Sequence, residues 1–187
     1  MPHPYFELEG TRLWTAVESA INDLVLNNDL IESTARPYIV GYLCQKLLNE
    51  RQAVEEGVTL RSETISSNNL GEMEWDESYF KFCNFEGFSI EGELVSSDFH
   101  ACSFKKIDWY WGLFSDCNFI GCSFADCTFA GTSFPDSRFI DCELVNCKFI
   151  QDNLGGECDF SKTKAYGCSM ENSPGFRPDS NTAIPSV

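Results

Sequence analysis

Large hydrophobic residues recur at every fifth position along most of the chain. Twelve of the sixteen phenylalanines belong to this series. One residue is missing before Leu94, and from Leu94 to Leu154 the series runs without a break. One inserted residue after Leu154 then continues the series to Phe160. The members are Leu60, Ile65, Leu70, Trp75, Phe80, Phe85, Ile90, Leu94, Phe99, Phe104, Trp109, Phe114, Phe119, Phe124, Phe129, Phe134, Phe139, Leu144, Phe149, Leu154, Phe160, Ala165 and Met170. A period of five fits neither an α-helix nor a plain strand.

A second series of small residues precedes the central residue by two positions and contains nine of the ten cysteines. The remaining three positions of each pentad are mostly polar. This pattern predicts a square coil with one pentad per side, in which the large and the small residue point inward. Residues one coil apart should then stack at the ~4.8 Å spacing of paired strands. Phe99, Phe119 and Phe139 are expected to form one inner column, and Cys127, Cys147 and Cys168 another.

Units such as residues 117–121 (Cys-Asn-Phe-Ile-Gly) and 122–126 (Cys-Ser-Phe-Ala-Asp) resemble the pentapeptide-repeat family. The resemblance covers about residues 58 to 172. It implies a mainly β fold, a right-handed quadrilateral parallel β-helix with four pentads per coil. The first coil departs from the pattern, since Val58, Glu63, Asn68 and Met73 are not small, and it is interpreted as a transitional coil.

Two flanking segments fall outside the repeats. Residues 1–57 carry two apolar patterns at helical spacing, the first in Leu13, Trp14, Val17, Ala20, Ile21, Leu24 and Val25. They are predicted to form a small helical hairpin that caps the rod, because open ends of a sheet invite association. A helix-turn-helix DNA reader is disfavoured, as residues 1–70 hold ten acids against five bases. Residues 173–187 are predicted to be an irregular tail.

The formal net charge is −16, and residues 71–172 carry eighteen acids against seven bases. Direct nucleic-acid binding is therefore not expected, because phosphate binding relies on Lys and Arg. A basic protein partner suits this charge better. The N-terminus lacks a signal-peptide pattern and no stretch approaches ~20 apolar residues, so a cytoplasmic protein without a membrane segment is expected.

No cofactor, metal or catalytic site is predicted. The stacked cysteines could suggest a metal ladder, but side chains on stacked strands point the same way and leave no room for tetrahedral coordination. They are interpreted as reduced, small core residues. The two histidines, His3 and His100, have no neighbouring nucleophile in the pattern. No phosphate-binding loop or hydrolase motif is present, so the protein is not expected to be an enzyme.

The surface pattern breaks at residues 105–113, where aromatic residues occupy outward positions. Ala130 and Ile150 follow Tyr110 one and two coils later, so an apolar patch is expected on one side, with stacked acids near its edge. An exposed aromatic cluster bordered by acids is typical of a protein-binding hot spot. The candidate partner-binding residues are Tyr110, Trp111, Leu113, Asp116, Asp136 and Ile150. Alternatively, Trp111 packs under the N-terminal helices or the C-terminal tail.

The best-understood members of the family that the repeats resemble are quinolone-resistance proteins, which bind DNA gyrase as mimics of duplex DNA. This chain shares the acidic rod but is expected to lack their inserted loop and their apolar C-terminal helix, and it adds an N-terminal cap. The favoured hypothesis is therefore an immunity protein that neutralises a nuclease toxin by blocking its basic cleft. A gyrase-binding DNA mimic and a structural scaffold module are the alternatives.

Overall fold

Short strands of two or three residues recur along the chain and pair in parallel with strands of the neighbouring coils. The computed structural model describes residues 59–66 and 78–182, and all its described strands belong to one parallel β-helix. Four stacks of strands form its four faces, which we number in chain order. The mainly β, quadrilateral fold expected from the repeats is thus confirmed. The predicted helical cap, residues 1–57, lies outside the described residues.

Faces 1 and 2 carry the longest stacks. Face 1 consists of β1 (Thr59–Arg61), β3 (Tyr79–Lys81), β7 (Asp98–His100), β11 (Asn118–Ile120), β14 (Arg138–Ile140), β17 (Lys164–Tyr166) and β19 (Ser180–Thr182). Face 2 consists of β2 (Thr64–Ile65), β4 (Asn84–Glu86), β8 (Ser103–Lys105), β12 (Ser123–Ala125), β15 (Glu143–Val145) and β18 (Ser169–Glu171). The seven strands of face 1 extend over roughly 29 Å at the usual strand spacing.

Faces 3 and 4 are shorter. Face 3 consists of β5 (Ser89–Ile90), β9 (Asp108–Tyr110), β13 (Thr128–Ala130) and β16 (Lys148–Ile150). Face 4 consists of β6 (Glu93–Val95) and β10 (Leu113–Ser115), and single bridges through Ser133 extend it to Asp159. In sequence order each coil visits the four faces in turn, so faces 1 and 3 lie on opposite sides of the rod.

The register confirms the predicted deletion and corrects the predicted insertion. Phe80 pairs with Phe99, a 19-residue coil, whereas later coils take twenty residues. At the C-terminal end, however, Phe139 pairs with Ala165 at a separation of 26 residues. Six residues, not one, are therefore inserted between Phe149 and Phe160. Leu154, predicted to be a central core residue, lies in this insertion and is 81% exposed.

Stacked aromatic rings fill the interior of the rod. Phe99, Phe119 and Phe139 form the expected column on face 1, with ring centroids 4.9 and 4.7 Å apart. Rings on adjacent faces meet edge to face, as Phe119 does with Phe124 at 5.6 Å. Both geometries are favourable for aromatic pairs. The central residues thus form one continuous core, and Trp109 is 1% exposed within it.

The small inward residues are hydrogen-bond donors as well as space fillers. Ser137 Oγ donates to the carbonyl of Phe114 at 2.7 Å, and Cys142 Sγ donates to that of Phe119 at 3.2 Å. In each case the acceptor is the central residue 23 positions earlier. Cys168 Sγ correspondingly contacts the Phe139 carbonyl, because of the inserted residues. Cys168 therefore continues the column of Cys142, and its predicted place above Cys147 is wrong.

Most corners of the coil are made by a residue in the left-handed backbone region, two positions after the central residue. The φ angles of the non-glycine corners in the described ranges lie between 47° and 57°. Glycine, Asn and Asp adopt this conformation most readily, which explains why Gly121, Asp126 and Asn146 occupy corners. The polar residues at these positions therefore serve the turn as well as the surface.

The C-terminal end of the core is closed by Phe176. Its ring, 8% exposed, lies 5.1 to 5.4 Å from those of Phe139, Phe149 and Phe160. The chain then adds β19 to face 1 beside β17. The range 173–187, predicted to be an irregular tail, thus includes a strand and a core residue. Within the described residues there is no helix long and apolar enough to cross a membrane.

Candidate protein-binding site

The six inserted residues are part of a loop, residues 151–157, at the corner between faces 3 and 4. Asp152 organises it: one carboxylate oxygen accepts hydrogen bonds from the backbone N–H groups of Leu154 and Gly156, both at 2.8 Å. Gly155, with φ +85°, allows the chain to turn back. The N–H of Gly156 and the other donors stabilise the charged carboxylate and hold the pKa of Asp152 below its usual value.

Tyr110 and Trp111 support the loop from two coils below. Trp111 Nε1 donates to the second carboxylate oxygen of Asp152 at 2.6 Å. The Tyr110 hydroxyl accepts a hydrogen bond from the backbone N–H of Asn153 at 2.9 Å. The two rings lie against each other, with centroids 4.8 Å apart. The aromatic break in the sequence pattern therefore provides a platform for the inserted loop, which sequence reasoning missed.

Trp111 occupies a corner position, with φ 54°. This conformation costs a residue with a side chain roughly 1–2 kcal/mol, and bulky side chains rarely adopt it. The next coil has Gly131 at the same corner, where a Cβ atom would lie 2.7 Å from Asp152 Oδ2. The fold thus accepts a strained tryptophan below the loop and a glycine beside it, which together position Asp152.

An exposed apolar cluster, here called the loop patch, consists of Trp111, Ile150 and Leu154, which are 46%, 47% and 81% exposed. Tyr110, which is half-buried, lies beside the loop patch. It pairs with Ala130, which in turn pairs with Ile150, as the repeat predicts. Isolated exposed apolar residues are ordinary, so the position of three of them at one corner makes the loop patch the candidate site.

An acidic cleft of about 350 Å³ opens next to the loop patch. Its floor contains Phe149 and Phe160, and its described rim carries Glu157, Asp159, Asp179 and a cation, Arg177. Glu157 accepts a hydrogen bond from Gln151, and Asp159 accepts from Ser161, so both carboxylates are held in place. Sequence reasoning did not single out these acids, because the predicted register placed them on ordinary repeat positions.

The other predicted site residues lie further round the rod. Leu113 is half-buried on face 4, one face away from Ile150. Asp116 and Asp136 stack at the following corner, between faces 4 and 1. Asp116 forms an ion pair with Arg138 at 3.3 Å, and Asp136 forms one with Lys162 at 3.6 Å. The six predicted residues are therefore separated: Tyr110, Trp111 and Ile150 lie beside the loop, Leu113 lies on face 4, and the two acids lie at a different corner.

The described residues offer little reactive chemistry. No group of three or more His, Cys, Asp or Glu side chains among them is arranged to hold a metal ion. All nine described cysteines are free thiols, and burial raises the pKa of Cys122 and Cys142. His100 points outward on face 1 yet is half-buried, and burial lowers its pKa.

Comparison with known proteins agrees with the strand pattern. Residues 113–150 match the family model for pentapeptide repeats in eight copies. This chain contains pentapeptide repeats. No curated protein matches its sequence. The repeat pattern extends beyond the eight matched copies, because the strand register continues from β3 to β18.

Solved structures that resemble the chain include a fluoroquinolone resistance protein and the pentapeptide repeat protein Rfr23. A trypsin-treated form of QnrB1, a plasmid-mediated fluoroquinolone resistance protein, is 20% identical, with a TM-score of 0.33 over 63% of this chain. The match covers 53% of that protein, so the chain spans about half its length. Rfr23 from the cyanobacterium Cyanothece 51142 is 11% identical, with a TM-score of 0.26 over 63% of this chain and 84% of its own. The fold assignment rests on the repeat match and the observed strand pairing.

Proposed function

We propose that this pentapeptide-repeat protein is a non-enzymatic inhibitor that binds a basic, DNA-acting protein through the loop patch. The observation that carries the proposal is the exposed cluster of Trp111, Ile150 and Leu154 beside an acidic cleft, on a chain with net charge −16. Desolvated aromatic and aliphatic anchors supply most binding energy, while surrounding charges steer the encounter. We place this activity in the cytoplasm.

The acids nearest the loop patch suit this role better than the two predicted first. Asp116 and Asp136 already have cationic partners in Arg138 and Lys162, which reduce the field they present. Glu157 and Asp159 instead border the cleft, within the same corner as Leu154. A lysine or arginine of the partner could enter between them while Leu154 inserts into an apolar pocket.

A nuclease toxin is the first candidate partner, which makes this chain an immunity protein. The substrate cleft of a nuclease must be basic to hold phosphate. A slender acidic rod fits such a cleft, and the apolar loop tip provides the slow dissociation that complete inhibition requires.

DNA gyrase is the second candidate, and one observation favours it. The repeats resemble those of the quinolone-resistance proteins, whose inserted loop this chain was expected to lack. The chain has, however, a six-residue insertion of its own. The same acidic corner could then act as a mimic of duplex DNA on a basic saddle. A scaffold role, in which the charge serves only solubility, is the third possibility.

Binding kinetics with each candidate partner test the role of the loop patch. Leu154→Ala should raise the dissociation rate about thirtyfold, as expected for a hot-spot residue worth ~2 kcal/mol. Phe82→Ala, which truncates a ring that is 46% exposed at a distant corner, is the matched control and should have no effect. Glu157→Lys should mainly lower the association rate, and less so at high salt, because exposed charges are screened beyond ~8 Å at physiological ionic strength.

Two activity assays separate the partners. The wild-type protein and the Leu154→Ala variant are added to a nuclease-toxin digestion and to a gyrase supercoiling reaction. Protection from the nuclease with unaffected gyrase supports immunity, and the reverse supports gyrase control. If neither reaction responds, the inhibitor proposal fails and the scaffold role remains. If a reaction responds equally to both variants, the protein is an inhibitor but the loop patch is not its binding site.

A further inference from the structure

A column of thiols runs along the inside of the rod, at the small inward position that precedes each strand of face 2. All its members are free thiols, and the strand register stacks each on the next. The column ends at Cys168, which is half-buried, whereas the thiol below it, Cys142, is 1% exposed. The members are Cys83, Cys102, Cys122, Cys142 and Cys168. The buried row of sulfur atoms is therefore accessible from the C-terminal end.

The last two sulfur atoms of the column occupy equivalent positions in successive coils. Cys142 Sγ lies 3.2 Å from the carbonyl oxygen of Phe119, and Cys168 Sγ lies 3.3 Å from that of Phe139. The two sulfurs also lie 3.6 and 3.7 Å from the carbonyl oxygen two residues earlier in the chain. Because Phe119 and Phe139 are themselves ladder partners, the two sulfurs are separated by the strand spacing, ~4.8 Å.

This separation suits an ion that takes two ligands in a line. A metal–thiolate bond is about 2.3 Å long, so two such bonds on opposite sides of one ion place the sulfurs about 4.6 Å apart. The parallel direction of stacked side chains, which leaves no room for tetrahedral coordination, does not prevent a linear one. An ion on the line between the sulfurs needs no other protein ligand.

We propose that Cys142 and Cys168 bind one thiophilic ion of the mercuric class between their sulfur atoms. Soft thiolates select soft ions. Binding replaces the two S–H bonds by two metal–sulfur bonds, and the two protons pass to water. One divalent ion and two thiolates form a neutral unit, which matters because an uncompensated charge is costly in an apolar interior. A monovalent soft ion held by the same two thiolates leaves one negative charge there.

The surroundings of the pair select against other metal ions. A structural zinc ion needs four ligands, and no third His, Cys, Asp or Glu completes such a set in the part of the chain that the structure describes. The pKa of the Cys168 thiol is raised by its contact with the Cys142 thiol and by burial, and burial raises the pKa of Cys142. An ion must therefore displace both protons, which favours the strongest sulfur ligation and weakens binding as the pH falls.

Cys158 provides a matched control within the same chain. It is half-buried like Cys168, and its sulfur likewise contacts the carbonyl oxygen of a central residue, Phe129, at 3.4 Å. The residue stacked below it is Thr132, whose hydroxyl is not a soft ligand. Serine occupies the same type of inward position at Ser137, so the fold accepts Cys→Ser at these sites.

Mercury retention by the reduced protein tests the proposal. One equivalent of mercuric chloride is added under anaerobic conditions, and glutathione is then titrated in as competitor. Cys168→Ser and Cys142→Ser should hold the ion at least about a hundredfold less tightly than the wild type, because the second ligand is lost. Cys158→Ser should behave like the wild type, and so should Cys44→Ser, which removes the cysteine outside the described residues. X-ray absorption of the wild-type complex should show two sulfur neighbours at about 2.3 Å.

Several results would overturn the proposal. One sulfur neighbour, or three or more, would exclude the linear pair. Equal retention by Cys168→Ser and the wild type would place the ion elsewhere, as would a loss in Cys158→Ser or Cys44→Ser. Mercury uptake only after the protein has been unfolded would also contradict it. Circular dichroism of each variant verifies the fold, and if Cys142→Ser fails to fold, Cys168→Ser decides alone.

Discussion

Truncation of Phe119 to alanine should lower the free energy of unfolding by about 4–5 kcal/mol, near the upper end of the range for buried Phe→Ala changes. The ring is 1% exposed and stacks on Phe99 and Phe139 at 4.9 and 4.7 Å. It also meets the edges of Phe114 and Phe124 at 5.7 and 5.6 Å. Each aromatic pair contributes about 0.5–1.5 kcal/mol beyond its buried area.

The cavity left by this substitution has little means to collapse. Backbone hydrogen bonds fix the spacing of β7, β11 and β14, so the rings above and below cannot approach each other without breaking the ladder. The energetic cost depends on how far the surroundings relax, and here relaxation is small. This rigidity is why we expect a value in the upper part of the range.

Urea unfolding followed by far-UV circular dichroism measures the effect. The shift in midpoint multiplied by an unchanged slope gives the loss of free energy. Phe82→Ala is the matched control, because it removes the same atoms from a corner that is 46% exposed, and its loss should stay below about 1 kcal/mol. A loss below about 1 kcal/mol for Phe119→Ala would contradict the stacked-core account.

Three further predictions concern the loop and the thiols. Gly131→Ala and Gly121→Ala both place a side chain at φ near +60°, but only the first brings Cβ within 2.7 Å of Asp152, so only it should accelerate amide exchange in residues 152–156. Because the pKa of Asp152 is lowered in the folded protein, its hydrogen bonds should persist in mild acid and be lost as the pH falls through that lowered value. The indole N–H resonance of Trp111 should report this loss, and Asp152→Asn should abolish the titration. Thiol titration should find at most about three fast-reacting groups in the native protein, since buried thiols resist ionisation, and ten after denaturation.

The repeat pattern predicted the core because a period of five leaves little freedom. Each pentad must turn one corner, so a large residue at every fifth position has to face the same interior. Phe99 and Phe119 were therefore placed in one column from the sequence alone, and the structure confirms it. The deletion before Leu94 was also visible, since the apolar series itself shifts by one residue there.

The insertion could not be seen in the sequence, because an apolar residue of the inserted loop happens to fit the five-residue period. Leu154 follows Phe149 by five residues, so an apolar loop tip took the place of a core residue in the pattern. The pairings of Phe139 with Ala165 and of Leu144 with Met170 reveal the six additional residues. The pair Gly155-Gly156 was a signal for a turn that could have been used. The partners of Trp111 could not be predicted, because Asp152 is 41 positions away and the register was wrong there.

The acids at the corners show why the sequence alone does not distinguish residues needed for the turn from residues that bind a partner. The sequence pattern predicts Asp116 and Asp136 as binding acids, yet both occupy left-handed corner positions, with φ 51° and 56°, where Asp is favoured for its backbone conformation. Both also form ion pairs along the rod. Their presence is explained by the turn, so it provides little independent support for a binding role.

Trp111 is the opposite case. The left-handed conformation disfavours a large side chain, and the core does not need one at an outward corner. Its position is instead explained by what it contacts, the carboxylate of Asp152, which in turn holds Leu154 away from the rod. In a fold where the repeat dictates most residues, those that depart from it need a separate explanation. The strained tryptophan and the inserted loop are two such departures, and they lie at the same corner.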